Sequence, residues 1–437
     1  MPESETTRFG VRRDDAPAVI GLVVGFLALR LVALRSTPLV YVDSGDYRHL
    51  DLFGGGRRPF TVPLLYWLVP TDGWRVVAQA ALSSVSFVVL ALVVGGMLRD
   101  RRARLGGMAA ILALGLTTQI TNWDSAILSD SVAISTTALL AAAWLNWHRT
   151  RTGRAVAAIL GATVLWTFTR ELHVFFTVAV AAAAIVAGLR RPDRLVRVLA
   201  VGLVVIAVVA VVEDRRNQET AVENIAGVIG LRILPDAPAR RWFVEHDMPD
   251  LAQIPTGVSV PREDLQAIPE FEHWLETKAL TTYARYLLTH PDVAITGPYG
   301  DLLDERVTYA EKESTRPVLL SPAEAYGRAR TVLPSPVEDV LFDPGHTGSI
   351  LLLSAGALIG VVVARVRGRP DRRRLVPLIV VGLVLPYVGL AWLGSVFEPG
   401  RHAMPGAVAL RIGVLVLLAL LADGLIGQRT ETIPAPA

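Results

Sequence analysis

Hydrophobic and polar positions along this chain sort into long apolar runs separated by short polar breaks. Runs of roughly 17 to 22 residues, long enough to cross a hydrocarbon core of about 30 Å as a helix, recur along the sequence. About ten stand out: 16–34, 76–98, 105–121, 126–147, 155–169, 174–189, 196–212, 349–364, 375–395 and 403–421. The fifth and sixth are short and share a tight turn. The pattern predicts an all-α polytopic membrane protein. The first run is longer than a usual signal core, contains Arg30 and lacks a small-x-small cleavage site, so it reads as a retained anchor.

Residues 213–346 break the pattern with a polar stretch long enough for a small domain. Proline pairs such as Ala237-Pro238, Ile268-Pro269 and His290-Pro291 punctuate it into short segments, which predicts helices and loops laid over a membrane face. Within it Phe271, Trp274, Leu275, Leu280, Tyr283, Tyr286 and Leu287 fall at helical spacing, an amphipathic helix that packs on its own domain or lies in the lipid interface. The expected organisation is a seven-helix membrane module over 1–212 with a first outer loop at 35–75, an extracytoplasmic α-rich domain over 213–346, a three-helix module over 347–427 and a disordered tail at 428–437. Pro386 is expected to kink the ninth helix. No internal repeat is visible.

Orientation follows from arginine placement, because cytoplasmic loops near helix ends retain positive charge. Arg12-Arg13 and the arginine-rich stretches 99–104, 149–154, 190–197 and 365–374 then share the inner face, with both termini inside. The whole chain carries a formal charge of only +3. That total hides a separation: 213–343 holds 23 acidic and 13 basic residues, leaving 17 acidic and 30 basic elsewhere. An acidic outer domain over a basic inner rim argues against nucleic acid as a partner and is expected from the membrane-insertion rule alone. With no cysteine, disulfides, thiolate metal sites and thiol catalysis are excluded. Hydrophobic residues make up 52% and charged residues 19%, which agrees with a multi-pass membrane protein, expected in the plasma membrane.

Charged side chains near hydrocarbon cost a few kcal/mol each, so those that persist need partners or a function. Four groups fall on the outer side. Asp43 and Asp46, with Asp51, lie on the loop after the first helix, in Tyr41-Val42-Asp43-Ser44-Gly45-Asp46-Tyr47-Arg48-His49. A carboxylate there can accept a proton from a substrate hydroxyl, or the stretch is a turn in which Asp43 caps a short helix starting near Ser44. Asn122-Trp123-Asp124-Ser125 is followed by Ser129-Asp130-Ser131 at the start of the fourth helix, where Asp130 needs a polar cavity or an ion pair with Arg170. Arg170-Glu171-Leu172-His173 occupies the next outer turn, offering a guanidinium fork for phosphate or a local pair with Glu171 or Asp130. Arg401 and His402 open the last helix, where two donors beside a positive helix end favour an anion, or anchor the helix at headgroup level. No Walker loop, His-Glu-x-x-His helix or Gly-x-Ser-x-Gly elbow is present.

These segments resemble the integral-membrane glycosyltransferases of the GT-C superfamily, which includes protein O-mannosyltransferases and aminoarabinose transferases. Asp43 to Tyr47 followed by Arg58-Pro59-Phe60 and Pro63-Leu64-Leu65 resembles that family's first outer loop. Leu128-Ser129-Asp130-Ser131 resembles its leucine-Ser-Glu segment, with Asp130 in place of Glu, and Pro399-Gly400-Arg401-His402-Ala403-Met404-Pro405 resembles its Arg-Tyr-x-x-Pro run, with His402 in place of Tyr. The resemblance implies transfer of a sugar from a polyprenyl-phosphate carrier to a glycan, lipid or protein acceptor on the outer side, usually with inversion. It implies Asp46, or failing it Asp43, as general base, and Asp130 or Asp124 as an assisting or positioning acid. Arg170, Arg401 and His402 would hold the phosphate, and Arg58, Glu171 and His173 complete the expected substrate-binding set. Some members use a divalent cation, Mg or Mn, which two carboxylates are able to ligate. The rival readings are a transporter or lipid flippase, in which Arg30, Asp130, Arg170 and Glu171 line a pathway, and a non-catalytic scaffold whose acidic outer domain binds a partner.

Overall fold

A computed structural model describes residues 13–431 apart from 35–36, 42, 51–57, 191–192, 215–217, 252, 256–257, 259, 262–263, 266, 304–307, 310–312, 315–329, 343–347, 369 and 395–398. Asp51, the arginine at 12, residues 397–398 and the end of the tail therefore lie outside the described residues. The protein is an all-α polytopic membrane protein; among the described residues its strands are one antiparallel pair of two residues each, Thr308–Tyr309 and Glu313–Ser314.

Among the described residues, seven helices are long and apolar enough to cross a membrane: α1 (Ala16–Ala33), α4 (Asp72–Met97), α9 (Leu172–Arg190), α10 (Arg194–Asp214), α17 (Gly348–Val366), α18 (Leu375–Gly394) and α19 (Pro399–Glu431). The remaining three apolar runs are helical too, each with a departure. The third is broken by 50° at Thr117, into α5 (Arg101–Leu116) and α6 (Thr118–Thr121) running on to Ser125. The fourth, α7 (Asp130–Thr150), is rich in hydroxyl side chains, and those of Ser135, Thr136 and Thr137 are satisfied inside the bundle by donating to a carbonyl one turn back at 2.7, 2.8 and 2.7 Å. The fifth, α8 (Gly153–Thr167), has 15 residues and is short for a span.

The core lies between α4, α5, α7 and α19, where Phe87, Leu90, Met108, Ile111 and Leu114 are fully buried. Close approach depends on Gly107: a Cβ there would sit 2.9 Å from Leu98 Cδ1 and 3.2 Å from the Ala419 Cβ on α19. The arginine-rich loops converge on one face. Asp423 of α19 accepts from the Arg99 and Asp100 amides at 2.7 and 2.8 Å and from Arg373 Nη1 at 3.0 Å, while Asp15 pairs with Arg101 and Arg104. Buried acids tie down the cations that charge alone would leave at the surface.

Two short helices of the first loop, α2 (Ser44–Arg48) and α3 (Thr61–Leu68), lie on the opposite face. Beyond α10 come α11 (Gln218–Val228), a π turn at Ile229–Ile233, α12 (Ala237–Val244), α13 (Pro269–Trp274), a π turn at Leu275–Ala279, α14 (Leu280–Thr289), α15 (Pro291–Leu303) and α16 (Ser335–Phe342). This segment has its own core of Ile225, Ile229, Phe243, Leu265, Phe271, Trp274 and Tyr286. The amphipathic run expected over 271–290 is helical: Phe271, Trp274, Leu275, Tyr283 and Tyr286 face that core, whereas Leu280 is 60% exposed.

Candidate active site

The first loop is held in place by its backbone. Leu39 forms a parallel bridge to Ala126, its amide donating to Ser125 O at 2.8 Å and its carbonyl accepting from the Ile127 amide at 2.9 Å. Tyr66, fully buried on α3, donates to Leu128 O at 2.9 Å, and Gln79 Nε2 of α4 donates to the carbonyls of Asp124 and Ala126 at 3.1 and 2.9 Å. The loop after α1 and the loop before α7 therefore share one seam, with Asp43 and Asp46 on one side of it and Asp130 on the other.

On this seam the helix expected near Ser44 begins there, and Asp43 occupies its N-cap position, but its carboxylate makes no cap hydrogen bond. It turns instead to two arginines: Asp43 Oδ2 lies 3.3 Å from Arg58 Nη2 and 3.3 Å from Arg401 Nη2. Asp46 Oδ2 lies 3.4 Å from the same Arg58 nitrogen. Arg58 rests over the Tyr47 ring at 5.2 Å, and the Tyr47 hydroxyl donates to Ser129 Oγ at 3.2 Å. The Arg58 guanidinium is held above its usual pKa by Tyr47 first, with burial opposing, and then by Glu171, Asp43 and Asp46, so it keeps its charge.

Asp130, fully buried in the first turn of α7, takes a hydrogen bond from Arg170 Nη2 on one oxygen and faces Arg401 Nε at 3.4 Å with the other. Arg170 Nη1 also donates to Arg401 O at 3.1 Å, fixing the start of α19 against the turn between α8 and α9. The result is a chain of alternating charge, Asp46–Arg58–Asp43–Arg401–Asp130–Arg170, drawn from four separate outer segments. His402 follows Arg401 and lies within electrostatic range of Arg170, Arg401 and Arg58. Glu171 borders the same cluster; its Oε1, Arg58 Nε and Arg170 Nε are buried without a hydrogen-bond partner among the described residues.

Two expected site residues face elsewhere. Asp124 lies inside the bundle, paired with Arg30 at 2.5 Å and accepting from Ser131 Oγ at 2.7 Å; Arg30 further donates to Ser83 Oγ and Gly115 O at 2.6 and 2.7 Å. His173 is fully buried, its ring stacked 3.9 Å from Trp166. Its Nδ1 donates to Trp166 O at 2.6 Å, which leaves Nε2 to accept from the Tyr387 hydroxyl at 3.0 Å. Both side chains are committed to partners away from the charged cluster. Trp166 and Tyr387 carry these contacts and were not singled out in the sequence, where each is one aromatic residue within an apolar run.

A cavity of about 510 Å³ opens next to the cluster, between α7, α8, α9, α10, α18 and α19. Its walls are overwhelmingly apolar, and Trp144, Trp166, Phe176, Tyr387 and Pro405 are among them. Ile379 and Leu383 belong both to its wall and to the lipid-facing surface, being 51% and 38% exposed, so the cavity is a groove open to the side. Along α7 it extends from Thr137 to Arg151, about 20 Å at the rise of a helix. Pro405, in the groove wall, is one helical turn from Arg401, and Trp166, also in the wall, is four positions before Arg170, so the charged chain adjoins the groove's end.

For a divalent cation the donor set does not fit. No group of three or more His, Asp or Glu side chains is placed to hold one among the described residues, and Asp43 and Asp46 already face arginine.

No protein-family model matches the sequence, and neither does any of the curated proteins. Among solved structures, the fold is similar to the archaeal oligosaccharyltransferase AglB from Archaeoglobus fulgidus, solved in complex with an inhibitory peptide and a dolichol-phosphate. Identity is 12% and the TM-score 0.44, over 97% of this chain and 53% of that one. The chain thus spans about half the length of that protein.

Proposed function

We propose that the protein is a membrane glycosyltransferase that moves a sugar from a polyprenyl-phosphate carrier to an acceptor hydroxyl at the extracytoplasmic face of a plasma membrane. The observation that carries this reading is the adjacency of two unlike features: an apolar groove open to lipid, and a cluster of three arginines at its end. A lipid with a long hydrocarbon tail and an anionic head has that polarity. A soluble anion has no use for the groove, and a neutral lipid has none for the arginines.

In this reading the isoprenoid chain lies along α7, α9 and α18, and the phosphate is met by Arg58, Arg401 and Arg170, with His402 beside them. The unpartnered Nε groups of Arg58 and Arg170 are donors of the right kind for phosphate oxygens. Asp46 is assigned as base, because it touches one arginine where Asp43 touches two and Asp130 is sealed from solvent. Asp46 takes the acceptor hydroxyl proton as the acceptor oxygen attacks the anomeric carbon. The carbon–oxygen bond to phosphate breaks, its electron pair stays on the phosphate, and in-line attack inverts the anomeric centre. Asp43 and Asp130 hold the arginines in position, so stabilisation of the leaving group is electrostatic and preorganised. Arg30 serves packing, because Asp124, two serines and a carbonyl neutralise and saturate it; that argues against a charged transport path through the bundle.

Asp46→Asn is expected to abolish sugar transfer from polyprenyl-phospho-sugars in proteoliposomes while the protein still assembles, since Asp46 is partly exposed and holds only one long pair. Wild-type turnover in that variant rejects Asp46 as the base.

A further inference from the structure

The helical run on the outer segment has a second apolar face that its own core leaves uncovered. On α14 the buried side chains Thr282, Tyr283 and Tyr286 define one face. Leu280, Ala284 and Leu288 form the adjacent arc at 100° per residue, with Leu287 at its edge packed against the segment's own core, and Thr281, Arg285 and Thr289 form the polar arc beyond it. Leu280 is 60% and Leu288 83% exposed, and the arc continues onto α15 through Ile295, 61% exposed. Such a stripe on a water-facing surface is costly.

Contacts beside the stripe say where it lies. Tyr283 donates to Leu393 O at 3.2 Å, Arg232 Nη1 donates to Trp392 O at 2.5 Å with its guanidinium 3.6 Å over that indole, and Gly297 of α15 admits the Trp392 ring. Trp392 and Leu393 form the last turn of α18, whose Leu383 and Leu385 are exposed on the lipid-facing side. The stripe is therefore continuous with the end of a membrane-spanning helix, at the level where Trp and Tyr sit between headgroups and acyl chains. Arg285 and Lys278 flank the side away from the stripe.

We infer that α14 and the start of α15 lie in the bilayer interface, with Leu280, Leu288 and Ile295 in the upper acyl region and Arg285 in water. The occupant of the stripe is lipid, not a second protein. The outer segment is then anchored twice, at the tip of α18 and along its own surface, whatever reaction the protein performs.

Because the chain has no cysteine, single-cysteine labelling tests this directly. Leu288→Cys, Ile295→Cys and Arg285→Cys are made in the full chain, labelled with a small environment-sensitive fluorophore and placed in nanodiscs. Quenching by lipids carrying a nitroxide high on the acyl chain is compared with quenching by aqueous iodide. The expected result is several-fold stronger lipid quenching at 288 and 295 than at 285, with the reverse order for iodide. Equal iodide quenching at all three positions overturns the inference. Protection of 288 and 295 from both quenchers also overturns it, since it puts protein over the stripe. All three positions point out of the folded core, so labelling does not depend on tolerance of a buried substitution.

Discussion

Asp124 and Asp130 are six positions apart and both buried, yet each is assigned a different task by the arginines it meets. Asp124 neutralises Arg30 inside the bundle, and Asp130 faces Arg170 and Arg401 at the groove's end. Removing either charge strands a buried guanidinium, which costs about 3–5 kcal/mol. Asp124→Asn and Asp130→Asn are both expected to lower the unfolding midpoint in a mild denaturing detergent. Only Asp130→Asn should also reduce turnover per folded molecule; an equal loss of turnover in Asp124→Asn contradicts the division of roles. Asp43, Asp46, Asp130, Arg170 and Arg401 were legible as candidates because charge at the ends of apolar runs is rare and needs a reason. The pair between Asp130 and Arg170 was one of the alternatives the sequence offered, and it forms; the other pairings were not legible. Arg30 reaches Asp124 across 94 positions and His173 reaches Tyr387 across 214, and no local rule links residues so far apart.

Among the helices, length and apolarity carry most of the information, which is why each apolar run corresponds to a helix. The break at Thr117 was hidden inside a run that reads as continuous. It arises where Thr117 turns to extended backbone and the Thr118 amide, at the start of α6, donates to Glu338 Oε1 of α16 at 2.5 Å. A distant carboxylate thus caps a helix in the middle of an apolar segment. The two π turns of the outer segment were equally invisible, since they change hydrogen bonding without changing composition. At the crossing of α5 and α19 the deciding residue is Gly107, which lets Leu98 and Ala419 close in. Gly107→Leu is expected to destabilise the protein by about 1–3 kcal/mol through overpacking. A thermal unfolding midpoint unchanged from wild type contradicts that crossing.

At the scale of the whole molecule, the apolar groove and the charged chain come from both ends of the sequence: α2 and the first loop supply acids, while α18 and α19 supply a groove wall and Arg401. Chain order alone could not bring these together; packing of α19 against α5 and α7 does. The acidic segment after α10 contacts the end of α18, while Ile379 and Leu383 in the groove's wall stay exposed. The most direct measurement is the affinity of the purified protein, in nanodiscs, for a sugar-free polyprenyl phosphate. Arg58→Gln removes a guanidinium at the groove's end whose side chain is 17% exposed. A charge-assisted contact to phosphate is worth about 1.5–3 kcal/mol, so the variant should bind about tenfold or more weakly. It should still bind the corresponding uncharged polyprenol as wild type does. Equal affinity of wild type and variant for the phosphate contradicts the reading of this cluster as the seat of a lipid-linked anion.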